Sequence, residues 1–269
     1  MGVSKLWDKV NYTAPLNHHY GYITEYDLSK ANISALFSRG IISKELYNEL
    51  FAAEKHYREV YIGNMIKKDK EVYKEIAAGI KDAKKLLFET NAIEDREVIG
   101  IHNDAVFFAG SRNLITDFDY YHFAKKNTYI HYIYLSNKMK FFYRYDKETD
   151  SDVVDIKGIS QEKLSAYEQP FVQFIINMQY MLTNIAIDDT VATYNEYNEK
   201  YINRKLPIAN YRELNSENGF RFNTGLFSFY SQNVSEKDIN DIDIGYNNNL
   251  LRDIGRIVYE KYFIDKNVR

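Results

Sequence analysis

Alternation of apolar and polar side chains near the start of the chain predicts a strand, and helical spacing then takes over. Residues 20–27 alternate in this way, are rich in aromatic and β-branched types, and end at Asp27. Apolar residues at helical spacing follow, and they predict helices at about 31–38, roughly 43–55 and 56–90. The first third of the chain therefore reads as one half-buried strand followed by helices.

Two hairpins are predicted in the middle of the chain. Apolar runs at 98–101 and 105–108 flank a polar triplet at 102–104, which is typical of a hairpin with its tip at the triplet. Residues 118–147 alternate aromatic and polar side chains around a Ser-Asn pair at 136–137. That pattern predicts the second hairpin.

The last part of the chain is predicted to be mainly helical. Residues 160–203 predict a packed helical hairpin, 204–247 are turn-rich, and a last amphipathic helix is predicted at about 248–264. We place a boundary near residue 150, between predicted domains 1–150 and 151–269. The order of elements predicts an α+β fold with a small antiparallel sheet, packed helices and a helical C-terminal part.

Composition narrows the class of protein without naming an activity. The chain has no cysteine, which excludes disulfides and thiolate zinc sites, and its six histidines lack the spacing of a zinc site. A net charge of −3 argues against a general nucleic-acid coat, but it allows a local basic stripe. The chain shows neither a bilayer-spanning apolar run nor a signal-peptide core, so we expect a cytoplasmic protein that does not bind membranes.

Asp27 and Asp104 carry the candidate chemistry, because each lies at the end of a predicted strand. Adjacent strand ends present two carboxylates side by side, and such a pair can hold divalent cations, Mg²⁺ or Mn²⁺. Two such ions about 4 Å apart stabilise the charge that develops in nucleotidyl transfer. Each residue also has a simpler interpretation, since Asp27 could cap the next helix and Asp104 could be an ordinary turn residue.

The sequences around these aspartates resemble two motifs of family B DNA polymerases. Residues 27–34 read D-L-S-K-A-N-I-S and resemble the first motif, D-x-x-S-L-Y-P-S, in the Asp, the final Ser and the strand-turn-helix context. Residues 98–107 read V-I-G-I-H-N-D-A-V-F and resemble the third motif, V-I-Y-G-D-T-D-S-V-F. Asp104 matches the second aspartate of that motif, and His102 replaces the first. The H-D-E-L-V-F motif of family A is a more remote resemblance.

The resemblance also implies residues that bind substrate. The family's K-x-x-x-N-S-x-Y-G motif binds the triphosphate, and Lys55 and Gly63 match its ends, with Arg58 as a second phosphate-binding candidate. Asn32 stands at the position that selects the sugar. The lysines of 67–85 are interpreted as a solvated face. A K-K-x-Y-like element that would bind nucleic acid is formed by Lys138, Lys140, Tyr143 and Arg144, with Lys125 and Lys126 upstream.

The resemblance implies a palm over 1–150, with reduced fingers at about 31–90, and a thumb-like region over 151–269. We therefore expect a template-directed DNA polymerase-like protein that uses primer-template DNA, nucleoside triphosphates and two divalent metals. Only some twenty residues precede Asp27, which suggests a stand-alone reduced palm or one subunit of a split polymerase, as in some large bacteriophages. The alternatives are a non-catalytic palm-derived protein that binds nucleic acid and a phage structural or interaction protein. The histidine at 102 and the short fingers favour the non-catalytic alternative.

Overall fold

The computed structural model describes residues 3–158, 170–215, 219–223, 228–229 and 236–267. Within these ranges the chain forms seven α-helices and ten strands, and the strands of its hairpins pair in antiparallel fashion. This confirms the predicted α+β class. No helix in the described ranges is long and apolar enough to cross a membrane.

Two compact units make up the chain. Unit 1 comprises Met1–Pro15 and Gly21–Thr128, and unit 2 comprises Leu16–Tyr20 and Tyr129–Arg269. The division therefore lies at Thr128 and not near residue 150, where the sequence suggested it. The reason is that the strands after Thr128 share one apolar core with the C-terminal helices. Each unit is described in turn.

The sheet of unit 1 brings the first hairpin beside the strand that ends near Asp27. Its strands pair in the order β1-β3-β4-β2-β5. Strands β2 and β5 each continue into unit 2. The predicted strand and hairpin are confirmed, while β1 was not predicted. The bounds are β1 Asn11–Thr13, β2 His18–Leu28, β3 Val98–His102, β4 Ala105–Ala109 and β5 Phe123–Tyr134.

Four helices of unit 1 lie between β2 and β3 in the chain. The predicted helix at 31–38 is found with those bounds, and Ser43 caps the second helix by accepting a hydrogen bond from the Leu46 N–H at 3.3 Å. The stretch predicted as helical over 56–90 forms two helices, because Asp69 is extended and accepts a hydrogen bond from the Glu71 N–H at 2.9 Å. The bounds are α1 Ala31–Ser38, α2 Lys44–Ala52, α3 Lys55–Lys68 and α4 Glu71–Thr90.

Helix α4 connects the sheet of unit 1 to the short helices. One core cluster joins Leu87 and Phe88 of α4 to Val106 and Phe108 of β4. A second cluster joins α4 to the other three helices; it contains Ile33, Leu36, Ile42, Leu50, Ile62, Val72 and Ile76. Burial of these side chains packs α4 against the sheet and the three shorter helices against α4.

Unit 2 is a three-stranded sheet region covered by long helices. Its large strands pair in the order β5-β6-β7, which includes the predicted second hairpin and adds β7. The predicted helical hairpin is found as α5 and α6, and the part of it at 160–169 lies outside the described residues. The bounds are β6 Lys140–Asp146, β7 Ser151–Lys157, α5 Pro170–Asn184, α6 Ile187–Ile202 and α7 Gly245–Asn267.

A second small sheet occupies the segment of unit 2 that was predicted to be turn-rich. Its strands pair in the order β10-β9-β8, with bounds β8 Glu213–Asn215, β9 Gly219–Asn223 and β10 Ser228–Phe229. Short 3-10 helices complete the described structure. They span Leu6–Asp8, Asp95–Glu97, Ile208–Tyr211 and Glu236–Asp241.

Candidate active site

A cleft of about 870 Å³ in unit 1 brings together the five residues that the sequence suggested for catalysis, metal binding or nucleotide binding. It is lined by the end of β2, the β3–β4 turn, the start of α1, and parts of α3 and α4. The five are Asp27, Asn32, Lys55, Arg58 and Asp104. Ligand pockets are typically about 300–1,000 Å³, so the cleft has room for a nucleotide.

Strand register places Asp27 and Asp104 side by side. Asp27 is the register partner of Ala105, and the Leu28 N–H donates a hydrogen bond to the Asp104 carbonyl oxygen at 3.3 Å. The β3–β4 turn is tight because Asn103 adopts a φ of 55°, a left-handed conformation that Asn tolerates better than most residues. Asp104 is therefore a turn residue that also lines the cleft.

Asp27 is not the cap of α1. The residue in the N-cap position is Lys30, in a left-handed conformation, and no side chain caps this helix within the described structure. The interpretation of Asp27 as a helix cap was therefore wrong. Its carboxylate lies instead 2.5 Å from the Lys126 ammonium, an ion pair between β2 and β5.

The two carboxylates influence each other. Burial and the neighbouring charge of Asp27 raise the pKa of Asp104, while Lys126 opposes the increase. In turn, the hydrogen bond to Asp27 raises the pKa of Lys126. A further carboxylate, Glu25, lies two positions before Asp27 on the same strand face and accepts a hydrogen bond from Asn127 at 2.8 Å.

The carboxylate pair fits a magnesium-type cation that takes its other ligands from elsewhere. Mg²⁺ is commonly held by one or two carboxylates together with water and substrate phosphates. Within the described ranges no group of three or more His, Asp or Glu side chains is arranged to hold a metal. A cation at Asp27 and Asp104 would therefore take its remaining oxygens from water or substrate, and it would compete with the Lys126 ammonium for Asp27.

Lys84 contributes to the cleft, although the sequence placed it on a solvated face. Its side chain is only 3% exposed, and its ammonium donates a hydrogen bond to the Lys9 carbonyl oxygen at 2.5 Å. Burial lowers the pKa of Lys84 to about 8, and the charges of Asp104 and Asp8 oppose that decrease. The sequence did carry a signal, because Lys84 is at helical spacing from Ile80 and Leu87 on the apolar stripe of α4.

Positive charge dominates the wall of the cleft. Among the described residues, six basic and four acidic side chains line it, which leaves a formal charge of +2. The basic ones are Lys30, Lys55, Arg58, Lys81, Lys84 and Lys126, and the acidic ones are Asp8, Asp27, Glu59 and Asp104. An anionic ligand would therefore be attracted to the wall beside the carboxylate pair.

The residues suggested for nucleic-acid binding, other than Lys125 and Lys126, belong to unit 2. Tyr143 is only 1% exposed, so its ring has no surface for base stacking, and its hydroxyl hydrogen-bonds with Asp152 and Asn184. Lys140 is half-buried, and burial lowers its pKa. Arg144 pairs with Asp146 at 3.1 Å, and Lys138 is exposed near the β5–β6 turn.

Comparison with protein-family models assigns the chain to a family. A family model described as Bacteriophage PBS1 gene 130 protein matches residues 1–259, which is most of the chain. The chain belongs to this family. Membership in the PBS1 gene 130 family confirms the predicted bacteriophage origin. No curated protein matches the chain. The cleft is therefore the feature of this PBS1 gene 130 family member that bears on its function.

Proposed function

We propose that this PBS1 gene 130 family member is a polymerase-like palm protein that binds a nucleoside triphosphate and supports template-directed nucleotidyl transfer. One observation carries the proposal: Asp27 and Asp104 lie at adjacent strand ends in a cleft whose wall is cationic. The reaction joins a primer 3′ oxygen to the α-phosphorus and releases pyrophosphate. This reaction needs anionic side chains that hold the metal ions and, opposite them, cationic side chains that hold the phosphates.

Each part of the cleft has a role in this proposal. Asp27 and Asp104 would hold Mg²⁺ or Mn²⁺, which when bound would supply charge stabilisation for the attacking and leaving oxygens. Arg58, a guanidinium with five donors, would hold phosphate oxygens. Asn32 is exposed at the start of α1 and would contact the sugar or a phosphate. Lys84 would keep positive charge beneath Asp104.

A second candidate function is nucleotide binding without chemistry. The observation that favours it is the ion pair between Lys126 and Asp27, because the ammonium already neutralises one carboxylate of the pair. In that case the chain would serve as a binding subunit, and a partner chain would supply the catalytic residues. Primer-template DNA would remain the macromolecular ligand in both candidates.

Primer extension with Mg²⁺ or Mn²⁺ tests the catalytic proposal, with the chain alone and with phage proteins that co-purify with it. Asp27→Asn and Asp104→Asn should each lower extension by about 10²-fold or more, because each removes a carboxylate that would hold the catalytic cations. Asp119→Asn is the matched control, since Asp119 is exposed and lies outside the cleft.

Two outcomes separate the candidates. Extension that survives both cleft substitutions would sink the catalytic assignment. Saturable binding of a nucleoside triphosphate with no extension under any condition would favour the binding subunit. Loss of both binding and extension in Asp119→Asn would reveal a general folding effect instead.

A further inference from the structure

Lys30 is placed in the cleft by an unusual backbone. It adopts φ 51° and ψ 43° at the residue before α1, a conformation that costs a side-chain-bearing residue energy and costs glycine little. Its ammonium donates a hydrogen bond to the Phe51 carbonyl oxygen and lies 3.4 Å from the centroid of the Phe51 ring. A lysine in a backbone conformation that favours glycine suggests that the lysine side chain has a function.

Arg58 is held by the same connection between α2 and α3. Its Nη1 donates a hydrogen bond to the Ala53 carbonyl oxygen at 2.5 Å, two residues after the carbonyl that holds Lys30. The carbonyl oxygens that hold the two cations belong to residues two positions apart, so the ammonium and the guanidinium lie near each other, and burial and the charge of Arg58 lower the pKa of Lys30. Both side chains line the cleft.

Ion pairing separates these two cations from most others in the cleft. Lys55 pairs with Glu59 at 3.7 Å, Lys126 pairs with Asp27, and Lys81 pairs with Asp8. Within the described ranges, neither Lys30 nor Arg58 has a carboxylate partner. Two neighbouring cations without counter-ions repel each other, and a ligand with two or more negative charges would relieve that repulsion.

We propose that Lys30 and Arg58 form a two-cation site for a polyphosphate group, and that Lys55 is not part of it. The ammonium supplies donors beyond the one used by Phe51, and the guanidinium keeps several of its five for phosphate oxygens. Helix α1 begins at the same place without a side-chain cap, and its positive end adds to the attraction. The ligand class is an inorganic or nucleoside polyphosphate. That the polyphosphate belongs to a nucleotide substrate rests on the proposed function above.

Calorimetric titration of the full chain with inorganic tripolyphosphate, without metal or DNA, tests this site directly. Lys30→Gln and Arg58→Gln should each weaken binding by about tenfold or more, because each removes a charged hydrogen-bond donor. Lys55→Gln should change the affinity by less than about twofold, since the Lys55 side chain is strongly exposed, where solvent screens its charge, and lies beside the opposite charge of Glu59. Lys68→Gln, on the exposed end of α3, is the matched control for loss of one positive charge.

Lys30→Gly separates binding from folding. Glycine accepts the left-handed backbone, so this variant should keep the wild-type melting temperature or raise it while it loses tripolyphosphate affinity. Wild-type affinity in Lys30→Gly would overturn the proposal, and so would equal losses in Lys55→Gln and Lys30→Gln. Circular dichroism of Arg58→Gln checks its folding, and Arg58→Lys should retain part of the affinity.

The outcome is independent of catalysis. If tripolyphosphate binding depends on Lys30 and Arg58 while the wild type extends no primer, the two-cation site stands and the polymerase proposal falls. If extension depends on Asp27 and Asp104 while Lys30→Gln binds tripolyphosphate normally, the two-cation site falls and the polymerase proposal stands.

Discussion

Gly79→Ala places a methyl group where helix α4 touches helix α1. The added Cβ would lie 2.6 Å from the Cβ of Ala35, 2.8 Å from its Cα and 3.0 Å from its carbonyl oxygen. Two of these three atoms belong to the backbone, so a change of side-chain rotamer cannot relieve the overlap. Helix α1 would have to move away from α4, and its first turn, which includes Asn32, lines the cleft.

The expected magnitude follows from two opposing effects. Replacing glycine by alanine inside a helix gains about 1 kcal/mol of stability. Overpacking a buried contact costs about 1–3 kcal/mol and sometimes more, and a backbone clash lies at the upper end of that range. Gly79→Ala should therefore lower the free energy of unfolding by about 1–2 kcal/mol, with a decrease in melting temperature of roughly 2–8 °C.

Gly63→Ala supplies the matched control. Gly63 lies within α3, and a Cβ added there meets nothing within 4 Å, so only the gain in helix propensity remains. This variant should raise the melting temperature by about 2–4 °C. The difference in sign between two chemically identical substitutions isolates the contact with Ala35.

Fluorescence of the single tryptophan provides the assay. Trp7 belongs to unit 1, and the ammonium groups of Lys81 and Lys85 in α4 each lie 5.5 Å from its ring centroid. Denaturant titration followed at Trp7 therefore reports unfolding around α4. Equal stabilisation of Gly63→Ala and Gly79→Ala would refute the close packing of α1 on α4. Weaker tripolyphosphate binding should accompany the destabilised variant.

Three further predictions concern single side chains. Burial lowers the pKa of His131 to about 3, so the unfolded chain binds one more proton between that value and about 6.5. The free energy of unfolding should thus fall by about 1.4 kcal/mol for each pH unit below 6, and His131→Phe should remove that dependence in denaturant titrations at pH 4–7. An unchanged slope in the variant would contradict the assignment. Tyr143→Phe removes two part-buried hydrogen bonds, but the exposed Asp152 and Asn184 can turn to water, so it should destabilise the chain by only about 0.5–1.5 kcal/mol in thermal melts. Tyr143→Phe should leave primer-template affinity unchanged. A loss of DNA binding in a folded variant would show that Tyr143 contacts DNA. Lys126→Met removes the ammonium that competes for Asp27, so Mn²⁺ should bind about tenfold more tightly by calorimetry. Weaker Mn²⁺ binding would mean that Lys126 supports the cation site.

The local pattern of apolar and polar residues was sufficient to predict many of the strands and helices of unit 1. Helix α1 has the predicted bounds, and the polar triplet at 102–104 forms the end of the first hairpin as expected. The sequence also placed Asp27 near a strand end and Asp104 in the hairpin turn, and the pairing of β2 with β4 then brings the two residues together. The ion pair of Lys55 with Glu59 was also readable from the sequence, since Glu59 follows Lys55 by one helical turn.

In unit 2, burial on both faces of a strand made it impossible to infer from the sequence pattern which side chains are exposed. Phe141, Phe142 and Tyr143 are consecutive residues of β6, and each is at most 2% exposed. A strand covered on both faces shows no alternation, so the sequence could not tell an accessible tyrosine from a core tyrosine. The basic and aromatic stretch therefore looked like a binding surface, although its tyrosine is part of the core.

The sequence by itself determined the order of most strands and helices and placed Asp27 and Asp104 each at the end of a strand, because these depend on periodicity and on turns between nearby residues. Only the tertiary structure decided which charges meet across distant segments. It paired Lys126 with Asp27 and brought Lys30 close to Arg58 without a carboxylate partner in the described chain. Ionic contacts of this kind depend on packing between elements, and no spacing along the chain records them.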